Sequence, residues 1–228
     1  MGRFGAPKKL IEYTLKTYSK YIDSLDIDGL ISVLKTDKKI TRAEEENHIL
    51  HDVMQLLVDE CGPDVVNSIE LSKENQCQLY AGVIFDKHVN ITKDQISELE
   101  FSRTEFSEGL TVYSQVLPNH ALSYTSIRGT ADLTRVKELG DSNLLFTLVD
   151  PCTAKLSTNL KKISPKSFKH LSSTTIEYNG TIKEFNNLIN AHWNNWPQKL
   201  RNEFKESTAN CRIFCSDGVW DYKTWTSM

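Results

Sequence analysis

The chain has 228 residues, 39% apolar and 25% charged, with a net charge of −3. That composition excludes a disordered chain and, with a pI near 6.1, wholesale coating of nucleic acid. No apolar run approaches the ~20 residues of a membrane-spanning helix, so no membrane partner is expected.

The charge is unevenly divided. Residues 1–117 hold 13 Lys/Arg against 20 Asp/Glu, and residues 118–228 hold 14 against 10. Such a division speaks about partners rather than fold. It predicts an acidic, mainly helical part over 1–117 and a basic α+β part over 118–228 that meet at Pro118, or else one continuous domain. Cys61, Cys77, Cys152, Cys211 and Cys215 are odd in number and scattered. The stretch Met1–Lys9 has no leader-length apolar run. Reduced thiols and a cytoplasmic location are expected. Lys outnumbers Arg 20 to 7, a usage that follows AT-rich genomes, including those of phages and viruses.

In chain order, Leu10, Ile11, Leu15, Tyr18, Tyr21, Ile22 and Leu25 repeat every three or four residues and predict a helix over 8–25. Asp26 is placed to cap a second helix carrying Leu30, Ile31, Val33 and Leu34. Thr41-Arg42-Ala43-Glu44 is a capping box opening a helix that Gly62-Pro63 stops. A short helix is expected within 64–71, then a strand over 78–89. Thr92-Lys93-Asp94-Gln95 is a second capping box. From it a stripe of Ile96, Leu99, Arg103, Phe106, Leu110, Tyr113 and Leu117 predicts a helix of about 26 residues, ~39 Å long. Arg103 on that stripe needs a partner if buried.

Beyond Pro118, a strand is expected over 121–128, a helix over 131–139 and a buried strand over 143–150. Asn179-Gly180 between alternating residues predicts a hairpin. Residues 186–206 read as a helix broken at Pro197, with Asn195 capping its second piece. Residues 210–215 read as a last strand, and no internal repeat is evident. The fold expected is α+β: a helical N-terminal part, then a small, largely antiparallel sheet with helices.

His48 and His51 share a helix face with nearby carboxylates, a spacing that suits a metal, but no second such motif exists. Cys211 and Cys215 are half of a zinc site without its other half. No Gly-rich phosphate loop is present. Neither a metal nor a cofactor is expected. Arg42 and His48 resemble the Arg-x4–6-His pattern of helix-borne ribonucleases. Ser126-Ile-Arg128-Gly-Thr130 with Ser172–Thr175 resembles the first two elements of ADP-ribosyltransferases, whose third, a Glu-x-Glu pair, is missing; Glu203 and Glu206 have the wrong spacing.

Lys155, Lys161, Lys162, Lys166 and Lys169 lie in a segment without acids and suit polyanion contact. Trp220, Tyr222 and Trp225 suit a protein interface, as do Arg103 and Tyr113 on the stripe. The expectation is a non-enzymatic binding or assembly protein, a phage or viral accessory protein by its composition, that contacts a protein partner or itself. Nucleic-acid binding through Lys155–Lys169 is the alternative, and an enzyme of either kind named above the second alternative.

Overall fold

The computed structural model describes residues 6–40, 43–72, 75, 78–143, 152–168, 174–209 and 211–226, side chains at 43–46, 174, 224 and 226 excepted. Four helices come first: α1 (Lys8–Thr17), α2 (Ser19–Asp23), α3 (Ile27–Thr36) and α4 (Ala43–Cys61). The Asp26 carboxylate caps α3 by accepting the Gly29 N–H at 2.9 Å. Gly62 ends α4 at φ 84°, a backbone that favours glycine, and a 3-10 helix (Pro63–Ser68) follows. Thr41, expected to cap α4, and Arg42 lie outside the described residues.

The next segment overturns the expected 26-residue helix and the small antiparallel sheet. The chain winds into a β-solenoid of about four turns. On one side stack β1 (Ile84–Phe85), β3 (Glu105–Phe106) and β6 (Ser126–Ile127). On another stack β5 (Val116–Leu117), β8 (Glu138–Leu139) and β10 (Lys162–Ile163). The third side is a seven-stranded sheet of β2 (Val89–Ile91), β4 (Leu110–Val112), β7 (Gly129–Asp132), β9 (Cys152–Leu156), β11 (Thr174–Tyr178), β12 (Arg212–Cys215) and β13 (Gly218–Asp221). Every pairing is parallel except β12–β13. The sheet takes strands from both sides of Pro118, and one apolar core runs from Ile22 to Trp220.

A repeat that the sequence reading missed builds these turns. The first turns place equivalent residues 21 apart, since Ile84, Glu105 and Ser126 are register partners, as are Leu110 and Ala131, and later turns lengthen to 22–24, as between Val116 and Glu138, Gly129 and Cys152, and Glu138 and Lys162. Inward side chains therefore stack in columns. Phe101 lies flat on Tyr80 at 4.9 Å and Phe106 on Phe85 at 5.2 Å. Gly82, Arg103 and Tyr124 occupy one recurring corner at φ 76°, 63° and 59°. Backbone groups at the corners bond to the adjoining turn, as Phe101 N–H does to Ala121 C=O and Arg103 N–H to Ser123 C=O, both at 3.0 Å. Buried Ser102, Ser123 and Thr104 hydroxyls donate to further carbonyls. A helix at 96–117 would have left Phe101 and Val112, both fully buried here, off its apolar stripe.

Thr92 is not a helix cap; its N–H donates to Asn67 Oδ1 in a strand-end contact. Residues 131–139 form the end of β7, a turn and β8 rather than a helix. The strand expected over 143–150 falls, apart from Asn143, outside the described residues. Asn179-Gly180 joins β11 to α5 (Ile182–Trp193), not to another strand, because Thr181 and Glu184 there form a capping box that starts the helix. The hairpin sits instead at Ser216-Asp217, between β12 and β13. α6 (Gln198–Thr208) is preceded by Pro197 with no side-chain cap, so Asn195 does not cap it. α7 (Tyr222–Thr226) closes the chain.

Candidate functional site

Side chains alternate across a strand, so residues between the buried positions of the seven-stranded sheet point outward. Register partners place Asn90, Thr111, Asp132, Lys155, Glu177, Phe214 and Val219 in one outward row, in that order. The row changes character along its length: neutral polar, then alternating charge, then apolar. Lys155 has a carboxylate opposite it on each neighbouring strand, an arrangement that stabilises cross-strand pairing. Phe214 and Val219 are direct cross-strand partners yet remain 45% and 44% exposed. A shallow groove of about 340 Å³ opens here, lined by Thr134, Lys155, Glu177, Asn179, Phe214 and Ser216. A second of similar volume lies beyond Tyr178 and includes Lys161, Glu184 and Asn187.

The lysines expected to meet a polyanion are spread by the winding of the chain. Lys155 belongs to the row just described. Lys161, at the next corner, donates to Thr158 C=O at 2.9 Å. Lys162 is on β10, a different face, and pairs with Glu138 Oε2 of β8 at 3.0 Å. Lys166 pairs with Glu203 Oε2 of α6 at 3.4 Å. Lys169 lies outside the described residues. Phe168, the one aromatic of that segment, is fully buried against Phe185 and Phe204.

Of the residues expected at an interface, Arg103 stands exposed on its corner. Tyr113 is 37% exposed just past β4, with the Arg135 guanidinium 4.5 Å from its ring centre. Trp220 is in the core, edge-on to Phe185, its indole N–H donating to Asn186 Oδ1 at 2.9 Å. Tyr222 and Trp225 are half-buried in α7, where Trp225 meets Trp193 edge-on at 4.9 Å. Burial raises the Tyr222 phenol above its ordinary pKa.

The chemical candidates do not converge. His48 and His51 are both half-buried on α4, and burial lowers the His51 pKa. Arg42 lies outside the described residues. Among the described residues there is no group of three or more His, Cys, Asp or Glu that could hold a metal ion. Burial pushes Cys211 up to about 12 and Cys152 and Cys215 to about 11. These thiols stay protonated at neutral pH, whereas a nucleophile or metal ligand is a thiolate. Arg128, at the corner between β6 and β7, has Glu105 Oε1 at 3.9 Å. Thr175 on β11 is two strands from β7, about 10 Å at the usual strand spacing. Ser172 and Ser173 lie outside the described residues.

Phe214, Val219, Glu177 and Asp132 were not singled out in the sequence. For Phe214 and Val219 the available signal is the Ser216-Asp217-Gly218 turn chemistry between two short alternating runs; Glu177 and Asp132 lie on parallel strands that no hairpin marks. Compared with protein-family models, curated proteins and solved structures, the chain matches none.

Proposed function

We propose that the chain is a non-enzymatic binding scaffold acting through protein–protein contacts, with the C-terminal end of its outer sheet face as the contact surface. The observation that carries this reading is the run Lys155, Glu177, Phe214, Val219 across four adjoining strands. It combines an exposed aromatic with an apolar neighbour and a rim of both charges, the anatomy of an interface centre and its edge. Single exposed apolar residues are ordinary on a soluble surface; two in direct cross-strand contact make a patch.

A photo-cross-linking residue at position 214, and another at exposed Lys16 on α1, tests the reading in the cells of origin. Position 214 is expected to give a discrete protein adduct that Lys155→Glu weakens and position 16 does not give. Identical adducts from both positions, or none from 214, would defeat the proposal.

A further inference from the structure

We infer a second binding site, apart from the protein-contact face, on the corner that joins the seven-stranded sheet to the β5–β8–β10 side. Its ligand is a single strand of nucleic acid, held by its phosphates and by stacking on one aromatic pair. Three observations carry this.

The winding that scatters the lysines of 155–169 gathers a different set. Lys137 N–H donates to Gln115 C=O at 2.7 Å and Lys161 N–H to Lys137 C=O at 2.8 Å, so these residues stack turn upon turn at one corner. Arg135 precedes Lys137 across fully buried Val136, which leaves both cations on the outside. Arg135, Lys137 and Lys161 are all exposed. Adjoining strands lie ~4.8 Å apart, so Lys137 and Lys161 place like charges one strand spacing from each other, which costs stability until an anion offsets it.

The chain's own carboxylates do not offset it. Among the described residues none of these three cations has an ion pair. The Lys161 ammonium donates to the neutral Thr158 C=O. Nearby acids are engaged elsewhere: Glu138 with Lys162 at 3.0 Å, Asp132 with the Thr134 N–H and hydroxyl at 3.0 and 2.7 Å, and Glu184 with the Thr181 N–H at 2.7 Å. A chain of phosphates supplies the missing charge at repeated steps.

A flat platform lies beside the charges. The Arg135 guanidinium is 4.5 Å from the ring centre of Tyr113, which is 37% exposed. Unpaired bases stack on aromatic rings and on guanidinium planes, whereas the bases of a duplex are already stacked on each other and a sulfated sugar has none. The corner also opens into the groove beyond Tyr178, whose lining shares Lys161 and adds Thr158 and Asn187, groups able to hydrogen-bond a base edge.

Fluorescence anisotropy of a labelled oligothymidine, titrated with the full chain at several salt concentrations, reads the result. Each phosphate contact with a single strand contributes about −0.7 to the slope of log K against log salt, so three give about −2. Lys137→Ala with Lys161→Ala is expected to leave a slope of about −0.7, the Arg135 contact alone. Tyr113→Ala is expected to weaken binding roughly 5–150-fold with the slope unchanged. Lys137→Glu with Lys161→Glu should abolish binding. Lys9→Glu with Lys16→Glu, the same change of net charge at exposed positions of α1, should leave it intact. All these side chains lie at the surface, and unchanged far-UV circular dichroism certifies the fold of each variant. The inference is overturned if oligothymidine fails to bind at low salt, or if the α1 variant loses as much as the corner variant. It is overturned equally if a DNA duplex or dextran sulfate binds as tightly as oligothymidine while Tyr113→Ala changes nothing.

Discussion

The two ends of the solenoid finish their parallel sheets by opposite means. At the N-terminal end, Gln55 of α4 and Asn67 of the 3-10 helix lay side-chain amides against the first strands, each giving one hydrogen bond and taking one. An amide side chain has the same donor and acceptor as a peptide unit, so it stands in for a missing strand. At the C-terminal end the sheet is extended instead, through β11, β12 and antiparallel β13. The difference shows what each device leaves behind. Side-chain capping satisfies the edge in place, whereas strand addition moves the edge outward to β13.

This comparison is open to test, beginning with the largest effects. At the C-terminal end, Trp220→Ala removes the buried anchor of β13 and its bond to Asn186; a loss of about 3–5 kcal/mol is expected in denaturant unfolding. At the N-terminal end, Lys93 and Glu100 form a buried ion pair. The ammonium also donates to Ile69 C=O at 2.7 Å, and Glu100 Oε2 accepts the Ser97 N–H at 2.8 Å. Burial raises the Glu100 pKa and Lys93 opposes the rise. Lys93→Met strands that carboxylate and is expected to cost about 3–5 kcal/mol, while Lys93→Met with Glu100→Leu restores most of the loss. If the double variant were as unstable as the single one, the pair would be more than a matched charge in a dry corner.

Smaller effects separate the caps further. Gln55→Ala and Asn67→Ala each leave strand groups unsatisfied, with an expected cost of about 1–3 kcal/mol. Amide exchange should quicken first at Ile84 and Thr92 respectively, the groups each side chain covers. Val219→Lys, at an exposed site, is expected to change unfolding by less than about 0.5 kcal/mol. The contrast between costly caps and a tolerant outer strand is the comparison in measurable form.

The smallest effect concerns pH. Burial lowers the His51 pKa below its ordinary 6.5, so the unfolded chain binds that proton more readily than the folded one. The stability from neutral His51 is full above pH 6.5 and is lost as pH falls through that value toward the folded pKa. His51→Gln is expected to flatten this slope in unfolding curves taken from neutral to mildly acidic pH.

The ends of this fold were legible in the sequence and the middle was not, for reasons visible in particular residues. Helices declare themselves through local signals: Asp26 as a cap, Gly62-Pro63 as a stop, the three-four spacing of Leu10 to Ile22. The first turns of the solenoid are made of contacts 21 residues apart, and 21 is three heptads. Ile96, Phe106, Leu110 and Leu117, all inward in the solenoid, thereby also fall on a helical stripe. The spacing that distinguishes the two is five: Tyr80 and Phe85, then Ile96, Phe101 and Phe106, then Leu117, Leu122 and Ile127, every one of them buried. Arg103 and Tyr113, members of the helical stripe, point outward. At the candidate site, Lys155 and Trp220 were both noticed. Nothing local tells that one lies on the outer face and the other beneath it, since that depends on strand register set by distant turns.

The turn of 21–24 residues also gives this molecule a fixed step. Each turn adds one strand to every side and separates the two caps by a further ~4.8 Å. A chain with one turn deleted or duplicated would keep both ends intact while moving them apart in fixed steps. The span between the two ends is thus set by a whole number of turns.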